Sequence, residues 1–142
     1  MRATPGPVLL ASLASLALAA CDGAADRPAT WSYVHAAILA PACTTAGCHS
    51  KLAAIAGVDL SDREGAYNVL VGRVCGEPPR PQDPGRNYVT PWSAAYSQLV
   101  YQLRGADAAG LPYRDVMPPD VPLPDVEIEL VERWIDEGAA CE

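Results

Sequence analysis

Two cysteines and a histidine lie within one seven-residue segment of this chain. Residues 43–49 are Cys-Thr-Thr-Ala-Gly-Cys-His, so His49 directly follows Cys48. Thiols spaced in this way can bond to the vinyl groups of a haem while the histidine binds the iron, although the usual C-x-x-C-H spacing is two residues shorter. The segment therefore predicts covalent attachment of haem c through Cys43 and Cys48, with His49 as an iron ligand.

The same three residues are also compatible with chemistry that involves no haem. Cys43 and Cys48 can instead close a small disulfide loop in an exported protein, remain free thiols, or belong to another kind of metal site. Zinc is disfavoured because Cys48 and His49 are neighbours, and neighbours do not easily occupy two corners of one tetrahedron. On a haem this difficulty disappears, because adjacent residues serve atoms that are far apart.

The N-terminal residues have the pattern of an export signal. Arg2 precedes an apolar run over 8–20 that is too short to span a bilayer, and the run ends in Leu-Ala-Ala-Cys at 18–21. That tetrapeptide resembles the bacterial lipobox, which predicts a signal peptide at 1–20 and a lipid on Cys21 that anchors the chain to a membrane of the cell envelope. Ordinary signal cleavage, with Cys21 as an unpaired thiol, is the alternative. Residues 21–30 are then a flexible tether and 31–142 one domain.

The charge of the chain limits its partners. The sequence has 10 basic and 17 acidic residues, with a formal net charge of −7. Arg2 is the only charged residue of the predicted signal peptide, so its removal leaves a charge of about −8. This balance disfavours nucleic acid as a partner and favours a redox protein with a basic surface.

The five cysteines are all assigned under the haem hypothesis. Cys21 takes the lipid, Cys43 and Cys48 take the haem, and Cys75 and Cys141 remain to pair as a disulfide. Without haem, the four cysteines beyond the lipid site allow three pairings, which the sequence cannot rank.

Apolar residues recur at helical spacing in four places and rarely alternate, which predicts an all-α fold. The first helix is expected to begin after Thr30 and to be stopped by Pro41. The second is expected at 62–71, with Ser61 or Asp62 as its cap and Gly72 at its end. The third is expected at 93–103, with Gly105 after its end and an apolar face formed by Tyr96, Leu99, Val100 and Leu103. The fourth is expected at 125–137, followed by Gly138.

Two proline-rich loops join these helices. Residues 72–92 contain five prolines and residues 105–124 contain five more. Loops of this length are uncommon in a compact domain unless they are functional. Four modest helices without any phenylalanine bury little by themselves, and a porphyrin, as a large apolar body, would supply the missing core. A helical domain stapled by disulfides is the alternative.

Met117 is predicted as the second iron ligand. It is the only methionine after Met1, and Pro118 favours an extended backbone from which its side chain projects. A thioether ligand favours ferrous iron and raises the reduction potential relative to two histidines. Packing in the core is the alternative for a lone methionine. His35, the other histidine, lies near the apolar face of the first helix, where packing or a surface role is expected rather than ligation.

Several further segments follow one another in a familiar order. They are Ile-Leu-Ala-Pro-Ala-Cys at 38–43, Cys-His at 48–49, Gly-Val-Asp-Leu-Ser at 57–61, Met-Pro-Pro at 117–119, and Glu-Ile to Trp-Ile-Asp-Glu-Gly-Ala at 127–139. Over most of 31–140 the chain thereby resembles class I cytochrome c domains of the planctomycete and myxobacterial type. The resemblance implies a cytochrome c-like fold of about four helices around one haem, in which the first and last helices cross. It implies Cys43, Cys48 and His49 as haem-binding residues and Met117 as the distal iron ligand.

The chain departs from that family pattern in three places. Pro-Trp at 91–92 replaces a proline-glycine turn, and Pro124 replaces a serine cap, which leaves Asp125 as the expected cap of the last helix. The third departure is the longer C-x4-C-H spacing. It leaves open whether both cysteines or only Cys48 form thioether bonds.

These inferences predict a lipid-anchored cytochrome that carries single electrons at the cell envelope and is not an enzyme. Its haem propionates need donors, for which the candidates are Arg73, Arg80, Arg86, Tyr88 and Trp92. No serine, histidine and acidic residue form a recognisable hydrolytic motif. One alternative is a cofactor-free, disulfide-bonded envelope lipoprotein that acts as a binding or scaffolding module. Another is a haem enzyme or gas sensor in which Met117 only packs.

Overall fold

Four helices provide most of the regular structure in the described part of the chain. The computed structural model describes residues 26–77 and 88–142. The first helix, α1, runs without a break through the segments Trp31–Tyr33, Val34–Leu39 and Ala40–Cys43. The other three helices are α2 (Arg63–Val71), α3 (Gln98–Arg104) and α4 (Asp125–Asp136). No strand occurs within the described ranges, so the prediction of an all-α chain is confirmed for them.

The middle segment of α1, Val34–Leu39, is a π-helix. The N–H of Ala40 donates to the carbonyl of His35, five residues earlier. The prediction that Pro41 stops this helix is wrong, because α1 continues to Cys43. In an α-helix the proline ring clashes with the carbonyl four residues before it, and the wider π turn reduces that clash. As a result, α1 continues past Pro41 and ends on Cys43.

Four helix ends follow the sequence predictions. Thr30 and Asp62 each accept a hydrogen bond from a backbone N–H in the first turn of α1 and α2, at 3.3 and 2.7 Å. Gly72 and Gly105 end α2 and α3 in the left-handed conformation, both with φ 68°. A residue with a β-carbon is strained there, which is why glycine fits these positions.

Two predictions for α3 and α4 are wrong. Pro124, not Asp125, occupies the N-cap position of α4, and no side chain caps that end. Asp125 is instead the first helical residue and accepts a hydrogen bond from Arg104 at 3.0 Å. Tyr96 lies in a separate 3-10 turn, Ala94–Tyr96, and is exposed. The break between this turn and α3 takes Tyr96 off the apolar face formed by the later residues.

The core forms where α1 packs against α4 and α2. The ring of Trp31 on α1 has its centroid 5.0 Å from that of Trp134 on α4 and 5.6 Å from that of Tyr67 on α2. All three rings are buried, so large aromatic surfaces stabilise the contact between the first and last helices. The other buried apolar residues of the helices are Val34, Ile38, Leu39, Ala66, Leu70, Val71, Leu99, Val100, Leu103, Ile128, Leu130, Val131 and Ile135.

The C-terminal residues are fixed to the core. Cys75 and Cys141 form a disulfide with their Cα atoms 5.4 Å apart, as predicted. The hydroxyl of Tyr67 donates to the carbonyl of Ala139 at 2.8 Å, and the indole N–H of Trp134 donates to the carbonyl of Ala140 at 3.0 Å. The chain after α4 is therefore held against α2 and α4 by one covalent bond and two hydrogen bonds.

Among residues 26–77 and 88–142, no helix combines the length and the apolar composition needed to cross a membrane. Several predicted features lie outside the described residues. They are the signal peptide at 1–20, the lipid site Cys21, and the candidate propionate donors Arg80 and Arg86.

Candidate functional site

The two cysteines of segment 43–49 are joined by a closed turn. The carbonyl of Cys43 accepts a hydrogen bond from the N–H of His49 at 3.0 Å, and the N–H of Cys48 donates to the carbonyl of Thr45 at 2.9 Å. The hydroxyl of Thr45 also donates to the sulfur of Cys48 at 3.2 Å. The turn takes up the two additional residues, so His49 still lies beside the end of α1.

Both thiols of this turn are free, so the geometry gives no support to a small disulfide loop. Cys43 is 9% exposed at the end of α1, whereas Cys48 is half-buried. Burial, and secondarily the charge of Cys48, raises the pKa of Cys43 from 9.0 to about 11. Cys43 is therefore an uncharged thiol at neutral pH.

His49 presents one ring nitrogen that is free to bind a ligand. Its Nδ1 lies 3.2 Å from the carbonyl oxygen of Val58. A carbonyl can only accept a hydrogen bond, so Nδ1 carries the proton, and Nε2 of the neutral ring then has a free lone pair. This is the arrangement that metal-binding histidines use, because the bond at one nitrogen orients the ring and increases the basicity of the other.

Met117 is placed by the loop that follows α3. Its backbone N–H donates to the carbonyl of Gln102 in α3 at 2.9 Å, and the N–H of Tyr113 donates to the carbonyl of Gly105 at 2.8 Å. These bonds return the loop to the end of α3. The peptide bond from Met117 to Pro118 is cis. Met117 and His49 line the same cavity.

His49 and Met117 line one cavity of about 400 Å³, and Cys43 lines it as well. Its other apolar lining residues come from three helices and the segment before α2, and they are Leu39, Ile55, Ala56, Val58, Leu60, Leu70, Leu99 and Leu103. A smaller cavity of about 90 Å³ is lined by Cys43, Cys48, His49 and Met117 together. The structure thus brings together all four residues that the sequence predicts to bind haem.

The chemistry of this site fits a haem. Two thiols, an imidazole nitrogen with a free lone pair and a thioether sulfur are the side chains that c-type haem proteins use. The larger cavity has mainly apolar walls and a volume in the usual range for a bound organic group. The side chains and the cavity are therefore chemically compatible with a haem.

One predicted propionate donor, Tyr88, lines the larger cavity. Arg73 and Trp92 do not line it; the Arg73 guanidinium instead lies 5.8 Å from the centre of the Trp92 ring. Three polar lining residues were not predicted, namely Gln98, Gln102 and Asp115. The two glutamines could have been found from the sequence. They are four residues apart in the third helix, which places them on one face beside its apolar positions.

His35 lies in the core rather than at the cavity. Its side chain is 7% exposed, and its ring centroid lies 5.4 Å from that of Trp31. Its Nε2 is 2.9 Å from the carbonyl oxygen of Leu60. The structure therefore supports packing, rather than ligation, for this histidine.

No group of three or more His, Cys, Asp or Glu side chains in the described part of the chain is arranged to hold a metal ion. A zinc site built only from such residues is accordingly not supported there. Comparisons of the chain with protein-family models, with curated proteins and with solved structures gave no match.

Proposed function

We propose that this chain is a c-type cytochrome that carries single electrons through one covalently bound haem. The observation that carries the proposal is the convergence of Cys43, Cys48, His49 and Met117 on cavities that share their lining. When bound, the haem would supply an iron that alternates between the ferric and ferrous states. The protein's own residues would hold the haem, set its potential and limit the access of water.

Each residue has a distinct role in this proposal. Cys43 and Cys48 would hold the haem through thioether bonds, and His49 would bind the iron through Nε2. Met117 would supply a second iron ligand, and its thioether would favour the ferrous state. The leucines of α1, α2 and α3 exclude water from the iron, and Tyr88 is the described candidate for a propionate donor.

The fold that accompanies this proposal is cytochrome c-like. Its support is the resemblance of the sequence together with the contact between α1 and α4 through Trp31 and Trp134. In the family that the sequence resembles, the first and last helices cross beside the haem. The proposal therefore identifies α1 and α4 with the helix pair that crosses in that family.

The proposed location is the cell envelope, with the chain anchored by a lipid on Cys21 and its domain in water. The proposed partner is a redox protein with a basic surface. To test the anchor, the full chain and a Cys21→Ser variant are produced in a bacterial host grown with radiolabelled fatty acid. We expect label in the full chain and none in the variant, and equal labelling of the two would contradict the anchor.

Intact mass and absorption spectra test haem binding. The full chain is produced in a host with cytochrome c maturation, and we expect a red protein that is heavier by one haem after denaturation. A Cys43→Ser, Cys48→Ser double variant should carry no covalent haem, because both attachment sulfurs are gone. A colourless parent chain would contradict the proposal and favour the cofactor-free lipoprotein.

The single variants determine how many thioether bonds form. With two bonds, Cys43→Ser and Cys48→Ser each retain haem through the remaining cysteine. With one bond from Cys48, only Cys48→Ser loses covalent haem. Cys75→Ser is the matched control, because it removes a cysteine that forms a disulfide and lines neither cavity.

A further inference from the structure

Both histidines of the described chain make a hydrogen bond to the same short backbone segment, residues 58–60. The Nδ1 of His49 lies 3.2 Å from the carbonyl oxygen of Val58, and the Nε2 of His35 lies 2.9 Å from that of Leu60. Because carbonyl oxygens only accept, both ring nitrogens are donors. The two imidazoles are thus connected through a segment of three residues.

Segment 58–60 is also bonded to the main chain of the proposed iron ligand. The N–H of Leu60 donates to the carbonyl of His49 at 2.8 Å. His49 is therefore held on two sides by this segment, through its ring at Val58 and through its backbone at Leu60. A shift of the segment would therefore move both groups that hold His49 in place.

His35 donates a hydrogen bond to Leu60, the last residue of the same segment. It belongs to the π-helical part of α1, and its ring is wedged against Trp31 in the core. Val58 and Leu60 are themselves buried. An apolar side chain in place of His35 would leave the Leu60 carbonyl without this donor in a buried place, where an unmade hydrogen bond is costly.

We propose that His35 is a positioning residue for His49. By donating to the Leu60 carbonyl, His35 fixes segment 58–60, which keeps the Val58 carbonyl in place for the His49 Nδ1 proton. That bond leaves Nε2 free and makes the imidazole a stronger electron donor. The role of His49 toward iron rests on the proposed function, whereas the link between the two rings rests only on the hydrogen bonds.

The test compares three variants of the full chain carrying its haem. His35→Leu removes the donor, His35→Gln replaces it with an amide N–H, and Tyr67→Phe is the matched control. Tyr67 also donates a buried hydrogen bond to a carbonyl, that of Ala139, but lies outside the cavity lining. The readouts are the hydrogen exchange of the His49 Nδ1 proton, followed by NMR, and the reduction potential.

In His35→Leu we expect the His49 Nδ1 proton to exchange about five- to tenfold faster, because the Val58 carbonyl is no longer fixed. We expect the reduction potential to rise, because a weaker donor stabilises ferric iron less. His35→Gln should restore both values. Tyr67→Phe should lower the stability of the protein without changing either one.

Unchanged exchange and potential in His35→Leu would overturn the proposal, and so would equal changes in Tyr67→Phe. If His35→Leu does not fold, His35→Met provides the same comparison with a more adaptable apolar side chain. If the parent chain carries no haem, the proposed function fails, but exchange of the His49 Nδ1 proton still tests the link between the two histidines. The experiment therefore distinguishes failure of the proposed function from failure of the proposed link between the two histidines.

Discussion

At the scale of single residues, the two thiols of segment 43–49 differ in their surroundings. Cys43 ends α1 and is nearly buried, while Cys48 lies in the turn and is partly exposed. Burial raises the pKa of Cys43 to about 11. Since the thiolate is the reactive form, the two cysteines should be chemically distinguishable whenever the haem is absent.

We therefore expect slow alkylation of Cys43 in chain produced without haem maturation. At pH 8 its thiolate population is about a hundredfold below that of an ordinary cysteine, because burial raises its pKa from 9.0 to about 11. The rate at Cys43 should increase about tenfold per pH unit up to about 11. Peptide mapping after timed iodoacetamide treatment measures it. Faster labelling of Cys43 than of Cys48 at pH 8 would contradict this assignment.

The same shift predicts a loss of stability at high pH. The folded chain binds the Cys43 proton more tightly than the unfolded chain, so this contribution to stability is complete below pH 9 and is lost as the pH rises through about 11. Urea unfolding of the haem-free chain at several pH values measures the effect. A Cys43→Ala variant is the control, and it should lack this component of the pH dependence.

At the scale of elements, the end of α3 and the Met117 loop depend on each other. Gly105 ends α3 with φ 68°, and a β-carbon built there would lie 3.3 Å from Cγ2 of Val116. Val116 directly precedes Met117, whose N–H is bonded to the carbonyl of Gln102. A side chain added at position 105 would therefore press on the residue that precedes Met117.

Under the proposed function, we expect Gly105→Ala to weaken iron ligation by Met117, because the added methyl group displaces Val116. The matched control is Gly110→Ala in the same loop, where φ is 77° but no atom lies within 4 Å of the added carbon. Both variants should lose about 1 kcal/mol of stability from the left-handed conformation. Only Gly105→Ala should reduce the methionine-ligation signature of the ferric spectrum. The same reduction in Gly110→Ala would show that the contact with Val116 is not the cause.

The elements also show what the sequence could and could not predict. Helix ends that depend on local chemistry, such as the Asp62 cap and the glycines after α2 and α3, were predicted correctly. The end of α1 was not, because a proline normally stops a helix and the π turn that accommodates Pro41 has no local signature. The Asp125 cap failed for a tertiary reason, since that carboxylate is paired with Arg104.

The sequence predicted the four residues of the candidate site but not the contacts that hold them in place. Motif spacing and the resemblance identified Cys43, Cys48, His49 and Met117, and the structure places them around shared cavities. The bond from His49 to Val58 and the anchoring of the same segment by His35 could not be predicted. Such contacts depend on how loops fold back onto helices, which hydrophobic periodicity does not report.

At the scale of the whole molecule, the disulfide between Cys75 and Cys141 joins parts of the chain that are 66 residues apart. It constrains the segment after α2 against the chain end that follows α4. Cross-linking a loop of this length reduces the entropy of the unfolded chain. The bond should therefore stabilise the packing of α4 on α1, which forms the core of the domain.

We expect a Cys75→Ser, Cys141→Ser double variant to lose about 2–4 kcal/mol of unfolding free energy. Urea unfolding of the parent and the variant, with and without reductant, measures the difference. Reductant should destabilise the parent but leave the double variant unchanged, which separates the disulfide from other effects. A loss below about 1 kcal/mol would contradict a stabilising role for the bond.

The overall charge leads to a prediction about electron transfer that rests on the proposed function. The full chain has a formal net charge of −7, or about −8 without the predicted signal peptide, and Asp115 lines the cavity. We expect oxidation by a cationic metal complex to slow several-fold between about 0.01 and 0.5 M salt, because salt screens the attraction. With an anionic complex of similar potential, the rate should increase over the same range. Stopped-flow measurements with Asp115→Asn, which removes a carboxylate beside the cavity, should give a weaker salt dependence for the cationic complex. Equal salt dependence for both complexes would mean that the negative charge lies away from the route by which electrons leave the haem.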